Sequence, residues 1–306
     1  MKLDSNMLPN FLIAGGVATG TSFLSATLTH HPDIYLPIIQ RPEPNFFHYS
    51  WKFNQGMDWY QKTWFHEVGK QRAIGERSSL LLPSNVAANR IKQMLPDVKL
   101  IFCLRNPLER AWGNYRFTVL EGLEQLSFDE AIDREEERIQ KAEGKWSEVQ
   151  PHAYLTRSRY ALHLQEFFDL FGKDRILLLK SEDLGRRPHE NVKRVCEFLD
   201  VDTSVQLPLP PNYSSPSVID RKLQMELRNF FGDRFPELVE SIRKEEDVSA
   251  VTLTEEDAQN LTRLRSNLRG GKDPIPEASR LRLRQIFADE IAQIRPLVDF
   301  TVDDWV

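Results

Sequence analysis

The chain of 306 residues contains only two cysteines, Cys103 and Cys196, each inside an apolar stretch. That excludes a disulfide framework, and a chain of this length buries enough apolar surface to do without one. Two buried, reduced thiols in a cytosolic protein are the expectation. Histidine and cysteine are not clustered at metal-ligand spacing, so no metal is expected. Positive charge is not in excess, with Lys+Arg 40 against Asp+Glu 45 and a formal charge of −5. A basic surface for nucleic acid is therefore not indicated, and no such partner is expected. Long apolar runs are missing too. No segment reaches the ~18 consecutive apolar residues of a membrane span. The apolar stretch 11–18 leads into a glycine turn rather than a cleavage site. The expected location is cytoplasmic, with no membrane partner. Gly 14 and Pro 18 are too few for collagen-like or low-complexity chains.

What is present is an alternating pattern. Short apolar runs at 11–13, 73–75, 100–104 and 176–179 lack polar alternation, as parallel strands buried on both faces do. Helical patterns occupy 21–29, 83–94, 108–120 and 154–170. The alternation predicts an α/β fold, a parallel sheet flanked by helices. The acid-rich run Arg134-Glu135-Glu136-Glu137-Arg138 reads as a solvated helix face. The proline-rich stretch 206–216 reads as an extended connector, followed by helices at about 220–244, 254–265 and 277–295. With no repeat and no long linker, the expectation is one domain over 1–306 whose C-terminal third, about 217–306, is mainly helical.

The most informative segment is Gly15-Gly16-Val17-Ala18-Thr19-Gly20-Thr21-Ser22, between the first strand and the first helix. Such a turn directs backbone N–H groups and a helix N-terminus at one point, where an anion is stabilised. The candidate anion-binding residues are Gly16, Val17, Ala18, Thr19, Gly20, Thr21 and Ser22. The spacing is that of a phosphate loop in which the usual lysine position holds Thr21. A nucleotide kinase or NTPase needs that lysine, so this reading is disfavoured but kept as an alternative. The third strand ends in Arg105-Asn106-Pro107-Leu108-Glu109-Arg110. Ligands of open α/β sheets bind at strand carboxyl ends, where Arg105 offers a planar, permanently charged fork for a second phosphate. The bland reading of Arg105 is an ion pair with Glu109.

These segments together resemble the sulfotransferases that use 3′-phosphoadenosine 5′-phosphosulfate (PAPS), in the branch with heparan sulfate sulfotransferases and bacterial relatives. The likeness runs from about Pro9 to Trp305 and is weakest between 205 and 265. The turn with His31-Pro32 resembles the family's 5′-phosphosulfate loop, and the segment from Arg105 to Trp112 its 3′-phosphate motif. Glu43-Pro44-Asn45-Phe46-Phe47 resembles a Glu-x-His-Phe-Phe element, and Gly75-Glu76-Arg77-Ser78-Ser79 a Gly-Glu-Lys-Ser/Thr-Pro element. Ser181 to Leu184, followed by Val195 to Leu199, matches the usual strand-to-helix segment. Arg269-Gly270-Gly271-Lys272 resembles the basic-glycine loop that closes over the 3′-phosphate. The resemblance implies a P-loop-like sulfotransferase fold, PAPS as donor, PAP as product and no metal. Three positions depart from the family pattern. Ala18 replaces the loop lysine, Gly113 replaces a serine of the 3′-phosphate motif, and Arg77 replaces the lysine of the second element.

In-line sulfuryl transfer needs a base for the acceptor proton, donors for the sulfate oxygens and a cation near the leaving phosphate. The resemblance makes Glu43 the candidate base, with a raised pKa if Phe46 and Phe47 desolvate it. His48 is the second candidate. Arg77 is the candidate replacement for the missing lysine, with Arg41 also near the base in sequence. Trp112 and Tyr115 are read as core rather than adenine contacts. The acceptor is expected to be a small molecule, a natural product bearing a hydroxyl or amine. Alternatives are a sugar or glycolipid headgroup, or a catalytically silent nucleotide-binding protein. The oligomeric state is not legible.

Overall fold

The computed structural model describes residues 8–37, 43–211, 215–244, 254–271 and 273–305. Arg41 and Lys272 lie outside the described residues. Five strands, β1 (Phe11–Ala14), β2 (Ile34–Tyr35), β3 (Ala73–Arg77), β4 (Lys99–Leu104) and β5 (Ile176–Lys180), form a parallel sheet in the order β2-β3-β1-β4-β5. The helices through this part of the chain are α1 (Thr21–Leu28), α2 (Ser50–Phe53), α3 (Met57–Trp64), α4 (Asn85–Met94) and α5 (Pro107–Leu120).

Both faces of the sheet are covered, as the unbroken apolar runs predict. Phe11, Ile13, Ile101, Cys103 and Leu179 join Leu24 and Leu28 of α1 and Val192, Val195 and Cys196 of the helix Pro188–Phe198 in one core. The intervening Phe102 points the other way, its ring 4.9 Å from Phe167 of the helix Tyr160–Phe171. Both cysteines are buried and free, and burial pushes the Cys103 thiol up to about 12. β1 lies between β3 and β4, so chain order reverses at its edge. Loops leaving the carboxyl ends of strands diverge at such a point, and open α/β sheets bind their ligands there.

The described residues group into two compact units. One takes 1–110, 157–210 and 284–306 and holds the whole five-stranded sheet; the other takes 111–156 and 211–283. The chain first leaves the sheet-bearing unit within α5, after Arg110. Each unit is assembled from discontinuous segments, and the single domain over 1–306 stands as a proposal.

The second unit has its own core, with Leu120, Leu227, Phe231, Phe235, Leu238, Leu261 and Leu264. It also contains an antiparallel pair, β6 (Ser217–Val218) and β7 (Leu268–Arg269). Of the three helical segments expected late in the chain, the one over about 220–244 is two helices, Arg221–Phe231 and Phe235–Arg243. The others are Glu255–Ser266 and Glu277–Ile294, the last of which belongs to the sheet-bearing unit from residue 284 on.

Two local expectations need correction. The helix expected over 154–170 starts at Tyr160. The Glu135 carboxylate accepts the backbone N–H groups of Tyr154, Leu155 and Thr156 at 2.7–2.9 Å, which holds that stretch out of the helix. Glu135 is therefore a buried anchor, 3% exposed, and not part of a solvated acidic face. The short strand β2 was not visible as an apolar run, because two residues carry no periodicity. Among the described residues, no helix is long and apolar enough to cross a membrane. Nor do they contain a group of three or more His, Cys, Asp or Glu able to hold a metal ion.

Candidate active site

The glycine turn is built by steric necessity. Gly15 passes so close to β4 that a Cβ would fall on the Cys103 carbonyl oxygen. Thr19 is fully buried and its hydroxyl donates to the Gly16 carbonyl at 2.9 Å, tying the turn across its mouth. Gly20 has φ 90° and caps α1 with no side chain of its own. The first-turn N–H groups of α1 therefore have no side-chain cap and remain available to an anion. Thr21 is buried and Ser22 exposed, so Ser22 is the hydroxyl open to a ligand. Ala18 adopts φ 69°, a left-handed conformation costly for a residue with a Cβ.

Arg105 leaves the carboxyl end of β4 and reaches this turn. Its Nη1 donates to the Ala18 carbonyl at 2.9 Å, and its Nη2 lies 3.5 Å from Glu109. The ion pair read from the sequence exists, but the same guanidinium also bonds the glycine turn. Asn106 fixes the approach. It caps α5 by accepting from Leu108 N–H at 2.9 Å, and its own N–H donates to Glu182 at 3.0 Å. Pro107 stands in the first turn of that helix, where its missing N–H costs nothing. Arg110, fully buried, donates to the Ser158 hydroxyl at 3.2 Å; its side chain lies beside Gly16, which has no Cβ to crowd it.

A second cluster forms where β3 ends. The Glu43 carboxylate pairs with Arg77 and accepts from the Ser79 N–H and hydroxyl, each at 2.7 Å. Asn45 adds a weaker donor at 3.4 Å. The turn that carries Glu43 is held from behind. Lys52 of α2 donates to the carbonyls of Glu43 and Pro44 at 2.8 and 2.6 Å. The Asn45 N–H donates to the Ser78 hydroxyl at 2.8 Å, and the Asn45 side-chain oxygen accepts from Leu80 N–H at 3.2 Å. The Ser78 hydroxyl in turn donates to Glu76, a fully buried carboxyl, at 2.9 Å. Phe46 and Phe47 pack with each other, Phe53 and Tyr60. The Glu43 carboxylate is thus held by Arg77, Ser79 and Asn45.

Of the residues predicted from sequence, the sheet-bearing unit places the glycine turn against Arg105, and Glu43 against Arg77. The His48 ring lies against Tyr49, with centroids 4.9 Å apart. Gly113, Arg269, Gly270 and Gly271 belong to the second unit. There Arg269 is largely exposed and pairs with Asp273 at 3.2 Å. Tyr115 is buried as the core reading expects, whereas Trp112 is only half-buried; it donates to the Asp273 carbonyl at 2.8 Å and stacks on Tyr115. Sequence reasoning missed Lys52, Ser78 and Glu76 as parts of the cluster. Glu76 and Ser78 stand inside a quoted motif, so their signal was present. Lys52 has none, because only the fold brings α2 to the 43–45 turn.

A parallel sheet with a glycine turn and an arginine at its switch point defines a mononucleotide-type α/β fold with a phosphate loop. Comparison with known proteins narrows the class. The sulfotransferase domain model matches residues 8–225, and the chain belongs to that family, within the sulfotransferase class of enzymes. The solved sulfotransferase of Alicyclobacillus acidocaldarius superposes with a TM-score of 0.69 at 25% identity, covering 97% of this chain and 98% of that one. The membrane-associated sulfotransferase kil1 of Dictyostelium discoideum is 30% identical over 114 residues, 37% of this chain and 23% of its own length. The mouse heparan sulfate glucosamine 3-O-sulfotransferase 3B1 is 28% identical over 195 residues, 64% of this chain and 47% of its own length. The chain thus spans less than half the length of these curated relatives.

Proposed function

We propose that the chain transfers the sulfuryl group of PAPS to a hydroxyl or amine. The observation that carries this reading is the Arg105 guanidinium bonded to the Ala18 carbonyl, within a chain of the sulfotransferase family. It joins the two segments expected to hold the phosphate groups of one nucleotide. PAPS, when bound, supplies a sulfuryl group on a phosphate leaving group. The α1 N-terminus and the Ser22 hydroxyl bind anionic oxygens, and Arg105 holds a phosphate. Glu43 takes the acceptor proton, and Arg77 provides the positive charge that the loop lacks at Ala18. The resemblance alone proposes Gly113 and the segment from Arg269 to Lys272 as further phosphate-binding residues. No metal is assigned a role.

The names of the heparan sulfate relatives favour a sugar hydroxyl or amine as acceptor. The formal charge of −5 favours a small sugar or headgroup over a polysulfated polymer. This leaves the natural-product expectation as the weaker of the two acceptor readings. Incubation with labelled PAPS and a panel of small glycosides, amino sugars and phenolic metabolites tests both. Sulfate on a glycoside or amino sugar is the expected product; sulfate on phenolics alone reverses the order. A second reading, silent nucleotide binding, rests on Ala18 in the lysine position. Tight PAP binding with no transfer to any acceptor or to water favours it.

A further inference from the structure

Two carboxyl groups lie near the proposed transfer centre, and their surroundings differ sharply. Glu43 has a guanidinium, a backbone N–H and a hydroxyl. Glu76 is fully buried, and its Oε1 accepts from the Ser78 hydroxyl at 2.9 Å. The Tyr60 hydroxyl interacts with this carboxyl, while Glu76 Oε2 has no partner in conventional hydrogen-bond geometry among the described residues. We propose that Glu76 is a positioning residue for sulfuryl transfer, an uncharged carboxyl that anchors the turn bearing Glu43 through Ser78 and leaves the neighbouring cations to Glu43. The proposal rests on the sulfotransferase reading above.

The anchoring is a continuous chain of bonds. Glu76 accepts from Ser78, Ser78 accepts from the Asn45 N–H, and Asn45 is two residues from Glu43. Asn45 has φ 40°, so the turn is held in a left-handed conformation that its bonds must maintain. The groups around Glu76 come from α2, α3, the 43–45 turn and its own strand. From α2 comes Lys52, whose ammonium is engaged by the Glu43 and Pro44 carbonyls. From α3 comes the Tyr60 hydroxyl, and from the turn comes Glu43. On its own strand Arg77 is paired with Glu43, and the register partner on β1 is the apolar Leu12.

Where two carboxyls share a site, the one rich in donors ionises and the other keeps its proton. Burial pushes the Glu76 carboxyl up to about 7, against an ordinary 4.5. With Glu76 neutral, Arg77 and Lys52 outweigh Glu43 by one positive charge, which suits an anionic donor. Ionised Glu76 cancels that excess and competes for Lys52. Transfer should therefore fall as pH rises through about 7. Stability follows the same sign. The folded carboxyl holds its proton up to about 7 and the unfolded one only to 4.5. The contribution is thus full below 4.5 and is lost as pH rises through about 7.

The test uses PAPS alone as probe, with water as acceptor, and follows PAP release against pH in the whole chain. Wild type should lose turnover above neutral pH, and Glu76→Gln, an uncharged hydrogen-bonding replacement, should remove that decline. Glu76→Leu, which cannot bond Ser78, should lower kcat on the order of 10- to 100-fold while PAP affinity changes little. Infrared difference spectra should show a protonated carboxyl in wild type that titrates near neutral pH and is absent in Glu76→Gln. An unchanged decline in Glu76→Gln, a loss of transfer in it comparable to Glu43→Gln, or the absence of that infrared band overturns the proposal. Full kcat in Glu76→Leu overturns the anchoring. If Glu76→Leu does not fold, the Glu76→Gln profile and the infrared band decide. If wild type neither binds PAP nor consumes PAPS, the sulfotransferase reading fails, while the infrared band still decides the state of Glu76.

Discussion

The glycine turn after β1 and the Glu43 cluster at the end of β3 both lie in the sheet-bearing unit, yet they are built on different principles. The turn is made by backbone. Its essential features are a missing Cβ at Gly15, a left-handed Gly20 and an uncapped helix start. The cluster is made by side chains from α2, the 43–45 turn and the end of β3, which the fold brings together. A backbone site resists polar substitution but tolerates no added bulk. A side-chain site tolerates shape changes but depends on each charge and donor. The two should therefore fail differently when mutated.

The broadest effect, on stability and binding together, is expected at Gly15. In Gly15→Ala the new methyl would occupy the position of the Cys103 carbonyl, and β1 and β4 cannot separate without breaking the centre of the sheet. Overpacking of this kind costs about 1–3 kcal/mol or more. Both the melting temperature and PAP affinity, read by calorimetry, should drop together. A variant of wild-type stability and PAP affinity would show that the turn is not sterically fixed.

Glu43→Gln should separate the two regions. Loss of a general base costs about 10²- to 10⁴-fold in rate, while PAP affinity should stay near wild type. Retained turnover would move the base to His48. Arg77→Ala belongs to the same region and should lower turnover by a similar order, because Glu43 loses its guanidinium and the cluster one of its two cations. Unchanged turnover and PAPS affinity in that variant would remove Arg77 from the transfer step.

Arg105→Ala probes the seam of the turn. A hydrogen bond to a charged group contributes about 1.5–3 kcal/mol, so PAP affinity should fall on the order of 10- to 100-fold, with melting less affected than in Gly15→Ala. If melting falls and PAP affinity does not, the bond to Ala18 is structural and the phosphate lies elsewhere.

The contrast also explains what was legible. The four main strands were read from unbroken apolar runs, because burial on both faces writes itself into consecutive residues. The turn was legible because glycine spacing is local. Glu43 and Arg77 were picked from separate motifs, but not as partners, since a 34-residue separation hides a pairing that only the sheet creates. Glu135 shows the opposite failure. An acidic run on a helix resembles a solvated face, and nothing local marks the one carboxylate that turns inward to accept three backbone N–H groups. The helix start misread at 154 follows from that same unseen acceptor.

The smallest effect is expected at Arg269, in the second unit. Its side chain is 67% exposed and pairs with Asp273 at 3.2 Å, four residues on. An exposed pair of this kind contributes about 0–1 kcal/mol, so Arg269→Ala should leave the melting temperature essentially unchanged. The resemblance nevertheless gives this segment a place on the 3′-phosphate. A charge that meets a phosphate from an exposed position acts through solvent and is weakened by salt. PAP affinity should therefore fall only a few-fold in low salt, and the difference from wild type should shrink as salt is raised. Equal PAP affinity at all salt concentrations would confine phosphate recognition to the backbone turn and Arg105. A loss as large as that of Arg105→Ala would instead overturn the expectation that the Arg269 charge acts only weakly, through solvent.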